Sequence, residues 1–368
     1  MVQQGDVRRG HPYFMYDAIQ RQPEAIEEII RKHATITQEV AANIVRKRRL
    51  YLVGIGTSWH AAVVAQHWFR RFAASSLEVQ AWHSFEFCAY PPPLTEDDVV
   101  VVVSHRGTKT YSFLALELAQ GREAYTVSIT STDPGPRIQT ADVVLNTVEP
   151  ERSAAFTVSY TAALTVLALL ATGLGSLTDS SEDVPRLRSQ LEEIPQVATQ
   201  VLTRQHTVQQ AVRRFQNRRR FICVGWGPNT ANAYEVALKM KETSATDGEG
   251  LQAEQILHGP FCSVDQRCLV TLIAPPGPGY ERTMNIARAA AEVDAPVWAL
   301  VQDGDILLSD LATEAFTLPP VPEFWSPLVY VIPLQLFSYY LSLVRGPHPD
   351  LFRQDDPKQA AARRHYDL

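Results

Sequence analysis

A strand-to-helix turn of the form Gly-x-Gly occurs twice in the chain, at residues 54–56 and 225–227. Each turn follows a short apolar run, in "RLYLVGIGTS" and "RFICVGWGPNT", and each leads into a segment with helical spacing of apolar residues. The two copies lie 171 positions apart, so one supersecondary unit is repeated along the chain. This repeat predicts two similar halves, each built on its own sheet.

Strand and helix patterns alternate after each turn. Buried strands are predicted in "DDVVVVVSHRGTKT", "AYTVSITST" and "ADVVLNT" of the first half, and in "CLVTLIAPPG", "APVWALVQDGD" and "AFTLPPV" of the second. Such alternation favours a parallel sheet covered by helices on both faces. We therefore predict an α/β fold with two doubly wound parallel sheets. The predicted parts are a helical lead-in (1–34), a first domain (35–180), a second domain (205–345) and a C-terminal tail (346–368).

Composition excludes several classes of protein. The 368 residues are 45% hydrophobic and 20% charged, which suits a globular protein with a sizeable core. The net charge of -6, with both signs interspersed, gives no indication of nucleic-acid or membrane partners. Two apolar segments could be mistaken for membrane spans. Segment 162–177 is too short to cross a membrane and segment 324–344 is interrupted by proline, so we expect both to be buried helices. Four cysteines without a CxxC pair indicate reduced thiols, a cytoplasmic location and no metal site.

Polar residues follow the first strand of the first half. Parallel sheets bind their ligands beyond the carboxyl ends of their strands, which is where these residues lie. Gly56, Thr57 and Ser58 enter a helix there, and their backbone and hydroxyl groups suit a phosphate, although tight turns use the same residues. A dinucleotide site requires a third glycine where this chain has Trp59, so we expect no such cofactor, and indeed none at all.

A second polar loop follows the next strand of the same sheet. Its members combine hydroxyls, a glycine and cations, and they are Ser104, His105, Arg106, Gly107, Thr108 and Lys109. Fixed cations at the end of a strand suit an anionic group, and arginine binds phosphate through two hydrogen bonds. The alternative is a solvated polar turn.

The segment "EVALKMKETS" places three charged residues, Glu235, Lys239 and Glu242, on one sector of a predicted helix. This is either a solvated face with a weak ion pair or a group of acids and bases at a site. Downstream, "AEQILHGPF" offers Glu254 and His258 at a turn. A single histidine at a turn is more often structural than catalytic.

The run from 227 to 260 resembles the signature of the isomerase half of glucosamine-6-phosphate synthase, in which "ALEGALKLKE" precedes "HGP" at the same spacing. "GIGTSWHA" is similar to the "GTSYHA" phosphate turn of that family, "FEF" to its "SEF" segment, and "SPLVYVIPLQLFSYYLSLVRG" to its closing helix. The resemblance covers nearly the whole chain. It implies a tandem pair of SIS (sugar isomerase) domains that bind a small sugar phosphate.

The resemblance also implies roles for individual residues. Glu242 matches the base that moves a proton between C1 and C2 of an open-chain sugar phosphate, and Lys239 and Glu235 match residues that relay protons and orient that base. His258 matches a ring-opening histidine that reaches the sugar from the partner subunit, which implies a homodimer. Lys358 lies one position beyond the place of the imine-forming lysine, and would replace it if the tail shifts by one residue.

The sequence differs from the family pattern in three places. Where the family has "SQSGET", this chain has the cationic loop 104–109. Where the family has "ASTK", this chain has residues 155–158, which lack the serine and the lysine. No cysteine lies near residue 1. Glutamine hydrolysis is therefore not expected from this chain. We expect a phosphosugar isomerase, or an aminosugar-phosphate deaminase or deglycase. The alternative is a non-catalytic regulatory protein that binds a sugar phosphate.

Overall fold

The computed structural model describes residues 7–73 and 77–366, and the chain forms two compact units. Of the described residues, the first unit contains those within 21–151, 156–195 and 362–366. The second contains those within 7–20, 152–155 and 196–361. Each unit is built on a five-stranded sheet.

In the part of the chain that the structure describes, ten strands make up the two sheets. They are β1 (Arg49–Gly54), β2 (Glu78–His83), β3 (Asp98–Val103), β4 (Tyr125–Thr130), β5 (Val143–Asn146), β6 (Arg220–Gly225), β7 (Asp247–Gln252), β8 (Cys268–Ala274), β9 (Val297–Gln302) and β10 (Glu314–Leu318). The first sheet has the order β2-β1-β3-β4-β5 and the second the order β10-β9-β8-β6-β7, with every neighbouring pair parallel. The predicted doubly wound α/β fold is confirmed.

Helices cover both sheets. They are α1 (Phe14–Gln20), α2 (Gln22–His33), α3 (Ile36–Ile44), α4 (Thr57–Phe72), α5 (Ser84–Ala89), α6 (Thr110–Gln120), α7 (Val158–Gly175), α8 (Val184–Thr203), α9 (Gln205–Phe215), α10 (Asn229–Ser244), α11 (Tyr280–Glu292), α12 (Leu307–Leu311), α13 (Ser326–Arg345) and α14 (Pro357–Arg363). Pro23 lies in the first turn of α2, where the missing amide hydrogen costs nothing, so α1 and α2 are separate as the sequence indicates.

The two most apolar helices lie in the cores of their units. All residues of α7 are buried, and α2, α3 and α4 pack against it within the first unit. In the second unit α13 packs against α10 and α9, and it continues through Pro333 without a break. Both helices are long and apolar enough to cross a membrane, but 100% and 89% of their apolar windows are buried. They are therefore buried helices, as the sequence predicts.

Glycine at the end of β1 and of β6 allows the following helix to approach the strand closely. A Cβ atom on Gly54 would lie 2.5 Å from the Ser58 carbonyl oxygen, and one on Gly225 would lie 2.2 Å from that of Asn229. Side chains at these positions would push the helices away. The repeated glycine thus places the first turns of α4 and α10 directly beyond the carboxyl ends of their sheets.

Candidate active site

A buried charged cluster lies on α10 in the second unit. Lys239 Nζ is 2.5 Å from Glu242 Oε2 and 3.3 Å from Glu235 Oε1. The side chains of Glu235 and Lys239 are 0% and 1% exposed, whereas that of Glu242 is 17% exposed. The alternative of a solvated helix face is therefore wrong for the first two residues. The structure brings all three predicted residues together and leaves Glu242 as the one that solvent reaches.

The cluster combines two carboxylates with one ammonium group. Buried charges are tolerated when they are paired, because desolvation of an unpaired ion costs several kcal/mol. Lys239 compensates the two carboxylates jointly, and the helix spacing of four and three residues makes both contacts geometrically possible. Such an arrangement can hold a carboxylate at a fixed position close to a reacting carbon.

His258 lies in a different setting in the same unit. It follows a short 3-10 turn (Gln255–Leu257), and its side chain is 72% exposed. Its Nε2 lies 2.9 Å from Oε1 of Glu254, which also forms an ion pair with Arg282 on α11. The sequence offered no indication of Arg282, since it lies 28 positions from Glu254.

The first unit contains a pocket at the carboxyl end of its sheet. Its cavity volume is about 10 Å³, which is the space of about one water molecule. The lining comes from the α4 turn, the strand ends and the start of α7, and consists of Thr57, Ser58, Ala61, Val103, His105, Ile129, Thr147, Phe156, Ser159, Tyr160 and Ala163. Three of the predicted phosphate-binding residues thus share one pocket. Gly56 immediately precedes α4.

His105 is held in this pocket as a neutral imidazole. The backbone N–H of Glu151 donates to His105 Nε2 at 3.0 Å, so the ring hydrogen resides on Nδ1. Burial, and to a lesser degree the neighbouring Arg106, lower the pKa of His105 to about 3. Its Nδ1 is buried and has no hydrogen-bond partner among the residues that the structure describes. His105 therefore lines the pocket as an uncharged side chain.

The neutral state of His105 predicts a specific loss of stability in acid. Its folded pKa lies below the ordinary value of 6.5, so its contribution is present above pH 6.5 and is lost as the pH falls towards 3. We expect His105→Gln to flatten the fall in unfolding free energy over this interval, as measured by denaturant titration at each pH. His365→Gln, which removes an exposed histidine, is the control. Parallel curves for wild type and His105→Gln would contradict the prediction.

Glu151, which the sequence did not indicate, lies beside the pocket and contacts two of its lining residues, His105 and Ser159. The N–H groups of Thr157 and Ser159 donate to its carboxylate at 2.9 and 2.8 Å, which satisfies free donors at the start of α7. Glu151 is 6% exposed, so this is a buried carboxylate on a helix N-terminus. The detectable signal was an acidic residue shortly before an apolar helical run.

The remaining residues of the 104–109 loop lie beside the pocket. Ser104 is buried, and the backbone N–H of Gly107 donates a hydrogen bond to its carbonyl oxygen. Thr108 is exposed. Arg106 Nη2 donates to the Glu151 carbonyl at 2.7 Å, and its guanidinium lies 5.3 Å from the Phe156 ring centre. The loop is therefore not a freely solvated turn.

Lys109 lies in a positively charged environment in the same unit. Burial lowers its pKa, and the charges of Arg363 and Arg106 lower it further. A bound anion would relieve the repulsion between these positive charges, in agreement with the anion binding predicted for the loop.

Lys358 lies exposed in the first turn of α14, where its backbone N–H donates to Asp356 at 2.9 Å. Within residues 7–73 and 77–366, no group of His, Cys, Asp and Glu is arranged to hold a metal ion.

The family model described as "SIS domain" matches the chain twice, at residues 43–173 and 214–345. The chain is also 30% identical over 346 residues to glutamine–fructose-6-phosphate aminotransferase (isomerizing) of Thermococcus kodakarensis. That alignment covers 93% of this chain and 57% of the relative. The chain therefore spans little more than half the length of this relative.

Two solved structures share the architecture. The C-terminal domain of glucosamine-fructose-6-phosphate aminotransferase from Francisella tularensis has a TM-score of 0.84 at 20% identity, over 93% of this chain and 99% of that one. Tagatose-6-phosphate ketose/aldose isomerase from Escherichia coli has a TM-score of 0.78 at 19% identity, over 92% and 95% of the two chains. At these identities the likeness demonstrates a common fold.

Proposed function

Since the chain belongs to the SIS domain family, we propose that it is an enzyme that moves a proton between C1 and C2 of an open-chain sugar phosphate. Isomerisation, and release of an amine from an aminosugar or glycated-amine phosphate, share this step. The observation that carries the proposal is the buried cluster of Glu235, Lys239 and Glu242. Burying these three charged side chains costs desolvation free energy. A gain in the stability of the fold does not account for that cost, because buried ion pairs add little net stability.

Each member of the cluster has a role in the proposal. Glu242 is the base, since it is the most exposed of the three and a positioned carboxylate suits proton transfer between adjacent carbons. Lys239 holds Glu242 at 2.5 Å and carries the compensating charge, while Glu235 fixes Lys239 from the other side. The proton leaves one carbon for Glu242 and an enediol or enolamine forms. Glu242, which is 17% exposed, exchanges its proton with solvent and delivers a proton to the neighbouring carbon.

In this proposal the predicted phosphate-binding residues of the first unit bind a phosphate group. Thr57, Ser58 and His105 line one pocket, and Arg106 and Lys109 add positive charge beside it. His258 is proposed to open the sugar ring from the partner subunit of a homodimer, which agrees with its exposure. Lys358 remains a proposed substitute for an imine-forming lysine, and the proposed location is the cytoplasm.

The second candidate is a regulatory protein that binds a sugar phosphate without turning it over. The altered 104–109 loop favours it, because Arg106 and Lys109 stand where the resembling family has hydroxyl residues. Retention of the complete α10 cluster argues for the enzyme, since binding alone requires no buried acid and base.

Deuterium incorporation distinguishes the two candidates. We would incubate the protein in deuterated water with fructose 6-phosphate, glucosamine 6-phosphate and a fructosamine 6-phosphate, and follow C1 and C2 by NMR. Incorporation into any of the three is expected and would identify the substrate class. Binding of a sugar phosphate by calorimetry without incorporation into any would overturn the enzyme and favour the regulatory protein.

A further inference from the structure

Glu254 connects His258 to Arg282 on an exposed face of the second unit. His258 Nε2 is 2.9 Å from Glu254 Oε1, while Arg282 Nε is 2.5 Å from Oε2 and Arg282 Nη2 is 2.6 Å from Oε1. The three side chains are between 43% and 72% exposed. Ion pairs so exposed contribute little to folding, so stability alone does not account for a histidine and a carboxylate that are both fixed in orientation.

The contacts determine which nitrogen of His258 is available. An ionised carboxylate only accepts hydrogen bonds, so the neutral imidazole carries its hydrogen on Nε2 and its lone pair on Nδ1. The hydrogen bonds from Arg282 and His258 lower the pKa of Glu254 to about 2, and Arg282 is the larger cause. Glu254 therefore stays ionised and does not itself accept the proton. Nδ1 is left as the basic atom.

The backbone holds the same arrangement. The N–H groups of Glu254 and Gln255 both donate to the side chain of Gln252, at 2.7 and 3.0 Å, and the N–H of His258 donates to the Gln255 carbonyl at 3.0 Å. Arg282 comes from the separate helix α11, so the three side chains converge from two fixed elements. Such convergence orients an imidazole more narrowly than a free surface side chain allows.

We propose that Glu254 and Arg282 are positioning residues for His258, with Glu254 fixing its tautomer and Arg282 fixing Glu254. This inference rests on the proposed function, in which His258 opens the sugar ring. In that step Nδ1 takes the proton of the C2 hydroxyl, the C2–O5 bond breaks as the C2 carbonyl forms, and the imidazolium returns the proton to O5. Proton transfer between C1 and C2 follows on the open chain and does not involve His258.

The kinetic test compares a ring-forming substrate with one that cannot close. We would measure deuterium exchange with fructose 6-phosphate and with 5-deoxyfructose 6-phosphate, which lacks the hydroxyl that forms the ring. Glu254→Gln should slow exchange with fructose 6-phosphate about tenfold, a part of what a general acid or base supplies. Its rate with the 5-deoxy sugar should equal that of the wild type. Equal loss with both sugars would overturn the inference.

A matched control comes from another exposed ion pair of the same unit. Arg214 Nη1 lies 2.8 Å from Glu314 Oε2, far along the chain from His258, so Glu314→Gln removes a comparable carboxylate. This variant should leave both exchange rates unchanged. Arg282→Gln should slow exchange with fructose 6-phosphate in the same selective way as Glu254→Gln.

A spectroscopic readout is independent of activity. In protein labelled with 15N-histidine, and with His258→Asn used for assignment, the His258 nitrogens should show the Nε2–H form alone, and Glu254→Gln should introduce the Nδ1–H form. Identical spectra for wild type and Glu254→Gln would overturn the inference. A single tautomer that Glu254→Gln disturbs, without exchange of any sugar by the wild type, would support the positioning and refute the proposed function instead.

Discussion

Glu242→Gln is expected to lower the rate of deuterium exchange between C1 and C2 by about 10²- to 10⁴-fold, the range for a general acid or base. Glutamine keeps the shape of the side chain but does not take up the proton. The remaining Glu235 and Lys239 form a neutral pair, so the fold should persist. Binding of sorbitol 6-phosphate, an open-chain analogue without a carbonyl, should change little when measured by calorimetry.

The control for this variant is Glu292→Gln, which removes an exposed carboxylate at the end of α11 in the same unit. It should exchange deuterium at the wild-type rate. If Glu242→Gln weakened binding and exchange by the same factor, Glu242 would be a group that holds the ligand and not the base.

Lys239→Met should destabilise the second unit by about 3–5 kcal/mol, the cost of breaking a buried ion pair by removing one partner. Methionine matches the lysine stem in size but leaves the carboxylates of Glu235 and Glu242 without their shared cation. The loss should appear in the guanidinium midpoint and in faster hydrogen exchange of the α10 amides.

Lys241→Met is the matched control, because Lys241 is exposed two positions away on the same helix. It should change stability by no more than about 0.5 kcal/mol, as surface substitutions do. Adding Glu235→Gln to Lys239→Met removes one uncompensated charge and should recover part of the loss. Equal effects of Lys239→Met and Lys241→Met would show that Lys239 does not compensate the cluster.

Much of the fold was predictable because the strong signals are local. The glycines at 54 and 225 and the apolar runs before them identify β1 and β6 directly, and the alternation that follows fixes a parallel sheet. Two strands went unpredicted, namely β2 and β7, which pair with β1 and β6 respectively. β7 reads Asp-Gly-Glu-Gly-Leu-Gln, which is poor in strand-forming residues, so its conformation depends on pairing with β6 and packing against α10.

The site was predictable where one helix carries it. Glu235, Lys239 and Glu242 share a face of α10 by helical geometry alone, although their burial depends on packing that no sequence spacing reveals. Arg282 could not be predicted as the partner of Glu254, because their contact is made by tertiary structure across 28 positions. The tautomer of His105 likewise depends on a backbone N–H from a loop 46 residues further on.

The carboxylate of Glu151 has a consequence for which ligands the first unit admits. It already occupies the N–H groups at the start of α7, so the chain carries its own counter-ion at that helix end. A free anion could bind these N–H groups only by displacing the Glu151 carboxylate. Because Glu151 belongs to the same chain, its effective concentration at the helix end exceeds that of a free solute. We therefore expect the first unit to favour a group that accepts hydrogen bonds from the hydroxyls of Thr57 and Ser58 and leaves Glu151 in place.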